Sequence, residues 1–235
     1  MTEVTFLEQR FEHPARKKGT VKLSDEASFL EYWGRQKSVT SAIYGSLDPA
    51  QFLAVFDDYG QSPEYREQRA LYKLEHSREY QSWKGRDRQP FDSNDKFALW
   101  IEDQLPDFIY PTGAAMMEIA LNMRVHQNAA FSNAVRLQDG NTEFAFTNQV
   151  EASSQVNNGK IQIPESFKLK IPVWAGLEAK PYEFEARFRY RLQSGKLHIW
   201  YELIRPHKVV EQAFSDMLKS IEAEAKTKVI FGTPE

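Results

Sequence analysis

One stretch constrains the fold more than any other. It runs Tyr182-Glu-Phe-Glu-Ala-Arg-Phe-Arg-Tyr-Arg-Leu192, Gln193-Ser-Gly-Lys196, then Leu197-His-Ile-Trp-Tyr-Glu-Leu203. Its alternation puts Phe184, Ala186, Phe188, Tyr190 and Leu192 on one side and Glu183, Glu185, Arg187, Arg189 and Arg191 on the other. That is the period of a half-buried antiparallel strand, and the Ser194-Gly195 pair predicts a hairpin turn. A two-residue loop sets Arg191 opposite His198, Arg189 opposite Trp200 and Arg187 opposite Glu202. One face must therefore build a core, and the other is open to a partner.

The chain has the means to bury such a face. At 235 residues, with 41% hydrophobic and 27% charged, it is long and apolar enough for a large globular core. Thirty basic residues against 33 acidic leave it near neutral, so any attraction to phosphate must come from a local patch. The absence of cysteine removes disulfides, thiolate metal sites and cysteine nucleophiles, and fits a reducing compartment. No apolar run approaches the ~20 residues that span a bilayer, and no h-region opens the chain. The expected place is the cytoplasm, without a membrane partner.

Along the chain, residues 1–20 read as a basic arm carrying Arg16, Lys17 and Lys18, either a solvated terminus or a contact for a partner. Ser24 is placed to cap a helix over 25–36 with Phe29, Leu30 and Trp33 on one face. Strands are expected at 39–44, 51–59 and 69–76, with Gly45, Asp48-Pro49 and 60–63 as turns. Ser77, Ser93 and Thr112 each precede a helical pattern, the last carrying Met116, Ile119, Ala120 and Met123. From Phe131 the period changes to two. Asp139-Gly140 suits a tight type I′ turn that would set Arg136 opposite Glu143 and Val135 opposite Phe144. The run 167–171, bracketed by Pro164 and Pro172, reads as an edge or terminating strand. After the main hairpin, Pro206 opens a helix whose Val210, Ala213, Phe214, Met217, Leu218 and Ile221 form a face suited to the preceding sheet. The pattern predicts an α+β protein. A mixed region at 21–127 holds a small N-terminal sheet and helices, and a mainly antiparallel region at 128–235 ends in a helix; one continuous domain could hold both.

Three strings resemble the YfdQ-like family of phage and prophage proteins, a family of unknown function. They are Pro111-Thr-Gly-Ala-Ala-Met-Met-Glu-Ile-Ala-Leu121, the segment 167–173, and Glu185-Ala-Arg-Phe-Arg-Tyr-Arg191 with Trp200-Tyr-Glu-Leu-Ile-Arg-Pro206. The resemblance runs from about His13 through the last helix. It implies a bacterial host cytoplasm and a setting near phage DNA metabolism, and it assigns no catalytic residue.

The candidate binding surface is the outer hairpin face, with Arg187, Arg189, Arg191, His198 and Trp200, joined by the Arg16, Lys17 and Lys18 arm. Interleaved arginine and tryptophan on a sheet can track phosphates and stack bases. The same residues also suit an ordinary cross-strand pair, Arg187 with Glu202, and an ordinary cation–π contact, Arg189 on Trp200. Asp57, Asp58, Glu75, Asp103 and Asp107 are the candidate metal carboxylates, and Asp107 with Glu178 and Lys180 mimics a nuclease pattern. Neighbours on a strand point to opposite faces, which would separate Asp57 from Asp58 if both lie in the strand. His198 and Glu202 lie about 13 Å apart at ~3.3 Å per residue, too far to share an ion. No metal or cofactor motif, phosphate loop, nucleophile elbow or dinucleotide fingerprint is present. The aromatics Tyr80, Trp83, Phe97, Trp100 and Phe108 are expected in the core. Three functions follow: a non-enzymatic, homo-oligomeric assembly protein that supports phage DNA metabolism by binding single- or double-stranded DNA; a protein that binds a host defence or regulatory factor, or another phage protein, through the same face; and an unfamiliar carboxylate enzyme using Asp57 and Glu75.

Overall fold

The computed structural model describes residues 16–62, 64–125, 131–136, 142–146, 160–176, 179–193 and 196–234. The chain begins with β1 (Gly19–Leu23), α1 (Glu26–Gln36), β2 (Ala42–Leu47), β3 (Ala50–Val55) and β4 (Gln68–Lys73). Next come α2 (Arg78–Arg86), α3 (Asn94–Asp103), β5 (Phe108–Tyr110) and α4 (Gly113–Val125). The strands β6 (Phe131–Arg136), β7 (Thr142–Phe146), β8 (Lys160–Ile163), β9 (Ser166–Pro172), β10 (Pro181–Gln193) and β11 (Lys196–Leu203) follow, and α5 (Pro206–Ala225) and β12 (Val229–Phe231) close the chain. The class is α+β, as the sequence pattern predicts. Contacts group the residues up to Glu75 with those from Glu211, and group His76–Val210 separately. This partition falls elsewhere than the change of period near residue 128.

The first unit is built on a five-stranded sheet in the order β1-β4-β3-β2-β12. β2, β3 and β4 form an antiparallel meander, while β1 and β12 join its edges in parallel. Phe52 and Tyr72 are register partners and share a face. Phe29 of α1 meets Tyr72 at 6.1 Å between ring centroids, and Phe214 of α5 stacks on Phe52 at 5.2 Å. The Trp33 indole N–H donates to the Ala225 carbonyl at 3.4 Å. The final helix thus packs on the N-terminal sheet, where its pattern had suited the hairpin just before it. The reason is β12, three residues too short to show a period, which carries the chain back alongside β2.

Other local expectations shift in this unit. Asp25, not Ser24, caps α1, accepting from the Ser28 amide at 2.7 Å; both residue types cap well, and the frame moves by one. Residues 19–20, read as arm, belong to β1, whose Gly19 amide donates to Glu67 O. Val39 lies in a turn and is fully exposed, and β2 starts three residues later. Gly45 is a strand residue there, and the site is crowded for a side chain: a Cβ would lie 3.0 Å from the Val229 side chain and 3.3 Å from the Phe52 ring. The turn between β2 and β3 is Asp48-Pro49, as expected.

The second unit holds a four-stranded antiparallel sheet, β11-β10-β9-β5, and a three-stranded sheet, β6-β7-β8. Phe184, Ala186 and Phe188 of β10 are buried, as are Ile199, Tyr201 and Leu203 of β11. Against this face lie Tyr80 and Trp83 of α2 and Phe97 of α3. Trp83 is fully buried, edge-on to Trp100, Phe108 and Tyr201, and the Tyr201 hydroxyl donates to the Trp83 carbonyl at 2.6 Å. Tyr80, Trp83, Phe97 and Phe108 are core, as their spacing predicts, and Trp100 is half-buried beside them. The caps hold too: Ser77 accepts from Tyr80 N, Ser93 from Lys96 N and Thr112 from Ala115 N.

Two register expectations are corrected here. β9 is an inner strand, because β5 pairs along its second edge; three residues among helical patterns gave no strand signal. Arg136 lies opposite Thr142 and Val135 opposite Glu143, one residue off the pairing a two-residue turn would set. The connection spans 137–141, and Asp139-Gly140 lies outside the described residues. A one-residue slip exchanges the faces of a strand, so the like-with-like pairing expected from the sequence does not occur.

Candidate functional site

The main hairpin has the register its alternation predicts: Arg187 faces Glu202, Arg189 faces Trp200 and Arg191 faces His198. Arg187 and Arg191 are exposed, while Arg189, His198 and Trp200 are half-buried. The expected partnerships differ. Glu202 does not pair with Arg187 across the strands. Its carboxylate meets Arg189 Nε diagonally at 3.5 Å and accepts from Trp200 Nε1 at 3.4 Å. Arg189 therefore reaches the carboxylate instead of lying over the indole, and no cation–π contact of Arg189 with Trp200 occurs among the described residues. A charge-assisted contact draws a guanidinium more strongly than a ring face does. Further along β10, Glu183 and Glu185 stand opposite Lys170 and Lys168 of β9, so the outer face is charge-balanced at one end and arginine-rich at the other.

At the arginine-rich end lies a cleft that the linear pattern does not show. The end of α2 is fastened to β11. Arg88 N–H donates to the Tyr201 carbonyl at 2.8 Å, and the Asp87 carboxylate accepts from the Leu203 amide at 2.9 Å. The other Asp87 oxygen holds Lys84 at 2.8 Å. Two adjoining cavities follow: one of ≈ 210 Å³ lined by Arg88, Arg187, Glu202 and Arg205 among others, and one of ≈ 490 Å³ lined by Lys84, Asp87, Arg88, Arg205 and His207 among others. Arg88 and Arg205 both have left-handed backbones, with φ of 64° and 47°. Asp87 and Glu202, the cleft's two carboxylates, are engaged elsewhere. Among the described residues none forms an ion pair with Arg88, Arg187 or Arg205.

The other candidates lie away from this cleft. Arg16 pairs with Glu67 at 2.6 Å and lies 3.6 Å from the Tyr65 ring centroid; Lys17 donates to Gln36, and Lys18 is exposed. These three belong to the first unit and the hairpin to the second, so the two basic surfaces are parts of different units. Asp57 accepts the Glu67 and Gln68 amides. Asp58, only 4% exposed, accepts from Tyr44 OH at 2.6 Å, the Tyr59 amide at 2.8 Å and Arg66 Nε at 2.6 Å. Burial by itself would raise the Asp58 pKa, but these donors together hold it below the ordinary carboxylate value. Asp107 is pushed up by burial, against the pull of the Trp83 indole it accepts at 2.7 Å. Among the described residues no three His, Asp or Glu side chains group to hold a metal ion. Glu178, His13 and His126 lie outside the described residues. No helix among the described residues is long and apolar enough to cross a membrane.

Of the arginines lining this cleft, the linear pattern singles out Arg187 and not Arg88 or Arg205. Both stand in turns, where residue type carries no periodicity. The usable signal was Arg205-Pro206, a cation fixed immediately before a helix start. No curated protein and no solved structure matches the chain. A family model does match, over residues 3–234, and the chain belongs to the family described as "Uncharacterized conserved protein (DUF2303)".

Proposed function

We propose that this protein binds nucleic acid through the outer face of β10 and β11, as a non-enzymatic assembly protein. The observation that carries the reading is the arginine-rich end of that face. Arg187 and Arg191 are exposed, Arg189 and Trp200 lie between them, and the one facing carboxylate, Glu202, is held by Arg189 and Trp200. Spacing along a strand places alternate residues about 7 Å apart, close to the phosphate repeat of an extended single strand. Trp200 offers an aromatic surface on which a base can stack, an interaction that is sequence-tolerant. The phage or prophage setting and the bacterial cytoplasm, implied by the resemblance to the YfdQ-like family, complete the proposal together with a homo-oligomeric state.

The test is charge reversal at two arginines. The Arg189→Glu, Arg191→Glu protein, compared with wild type for single-stranded and duplex DNA in low salt, is expected to lose at least tenfold in affinity for single strands. Its slope of log affinity against log salt should fall by about 1.4, the value for two lost contacts to a single strand. Unchanged affinity and slope would overturn the reading. Recovery of one protein that stays bound after nuclease treatment and in high salt would transfer the same face to the alternative of a host or phage protein partner.

A further inference from the structure

The cleft beside the hairpin contains more cationic chemistry than a sheet surface requires. Arg88 comes from the turn after α2, Arg187 from β10 and Arg205 from the turn before α5, so three separate segments each contribute an arginine to the lining of one recess. None of the three has an ion-pair partner among the described residues. Ion pairing elsewhere leaves the recess little negative charge: Asp87 is bound to Lys84 and to a backbone amide, and Glu202 to Arg189. Like charges brought together without a counter-ion repel, so such a cluster gains from an anion that neutralises it.

The backbone at two of these positions bears on how the cleft can be tested. Arg88 and Arg205 both occupy left-handed conformations, which disfavour side chains with a Cβ and favour glycine. Arg88 directly follows the α2 C-cap, where glycine is the usual residue. Glycine can therefore replace arginine at either position without backbone strain. Among the described residues Arg66 and Lys226 also have positive φ, Arg66 beside Asp58 and Lys226, like Arg88, directly after a helix.

We propose that Arg88, Arg187 and Arg205 form a subsite for a phosphomonoester dianion. The ≈ 210 Å³ recess accommodates a phosphate group, and the adjoining ≈ 490 Å³ cavity accommodates the moiety that carries it. Three forked guanidinium groups offer the paired N–H donors that phosphate oxygens accept, a geometry that lysines do not supply. The group can belong to the end of a nucleic-acid strand or to a free nucleotide. For a strand end the inference rests on the reading above, because Arg187 is common to the face and the cleft; for a free nucleotide it stands apart.

The experiment uses the full chain with four probes: inorganic phosphate, a nucleoside 5′-monophosphate, and one oligonucleotide with either a 5′-phosphate or a 5′-hydroxyl. The key variants are Arg88→Gly and Arg205→Gly, which remove a guanidinium while relieving the left-handed backbone, so a melting temperature unchanged or raised is expected. Wild type should bind the 5′-phosphorylated strand at least tenfold more tightly than the hydroxyl strand. Each variant should lose that preference and keep its hydroxyl-strand affinity. A source in free nucleotides predicts instead saturable monophosphate binding that falls tenfold or more in both variants, with no preference between the strands. Absence of phosphate binding and of end preference in wild type, or full retention of either in both variants, overturns the subsite. Loss of hydroxyl-strand binding in Arg189→Glu, Arg191→Glu with monophosphate binding intact leaves the subsite standing, and unchanged hydroxyl-strand binding there fails the hairpin reading alone.

Discussion

At the scale of single residues, hydrogen-bonding capacity decides which charges are engaged within the fold and which are not. Asp58 is the clearest structural charge: it is buried, and donors from Tyr44, Tyr59 and Arg66 compensate its desolvation. Its folded pKa lies below the ordinary value of 3.8, so its stabilising contribution is complete above that range and is lost as pH falls through the lowered value. Tyr44→Phe removes one charge-assisted hydrogen bond. It is expected to cost about 1 to 3 kcal/mol at neutral pH and to start acid unfolding at a higher pH, measured by urea denaturation across a pH series. Equal acid-unfolding curves for the two proteins would show that the Tyr44 hydroxyl does not hold Asp58 low. Arg187 is the opposite case. The nearest carboxylate in register, Glu202, is taken by its neighbour, so the charge of Arg187 is left facing the cleft.

At the scale of elements, caps and alternation were legible, and short or inserted pieces were not. Asp25 fixes the start of α1 by accepting the Ser28 amide, and Asp25→Ala is expected to cost about 1 kcal/mol, read from thermal unfolding. Trp83 is the pivot between α2 and the four-stranded sheet, touching rings from α3, β5, β9 and β11. Trp83→Ala is expected to destabilise by about 3 to 5 kcal/mol, and a cost under about 1 kcal/mol would deny it that role. The β10–β11 register followed from alternation because thirteen and eight residues give the period room to show. β5 and β12 have three residues each, less than two periods, and only tertiary pairing identifies them. The β6–β7 register slipped for a related reason: an Asp-Gly pair signals a turn but does not by itself fix where pairing stops.

At the scale of the whole molecule, the chain leaves its first sheet after β4, builds a second unit, and returns through α5 and β12. The first unit is thus completed by residues far away in sequence, with Phe214 on Phe52 and Ala225 accepting from Trp33. A chain ended after residue 210 is expected to lose protection of β2 and β3 in hydrogen exchange, and native protection of those strands would contradict the assignment of α5 to the first sheet. The α+β class was readable from the order of periods; the return of the last helix was not, because an amphipathic face does not name the surface it covers. The candidate site divides in the same way. Its hairpin half is a pattern in sequence, and its cleft half exists only once residues 84–88, 187 and 202–207 meet. The measurement that tests the central claim most directly is wild-type affinity for a single-stranded oligonucleotide across a range of salt. Contacts from Arg187, Arg189 and Arg191 predict a straight line of log affinity against log salt with a slope of about −2, from roughly −0.7 per contact. A flat line, or no binding at the lowest salt, would contradict the account.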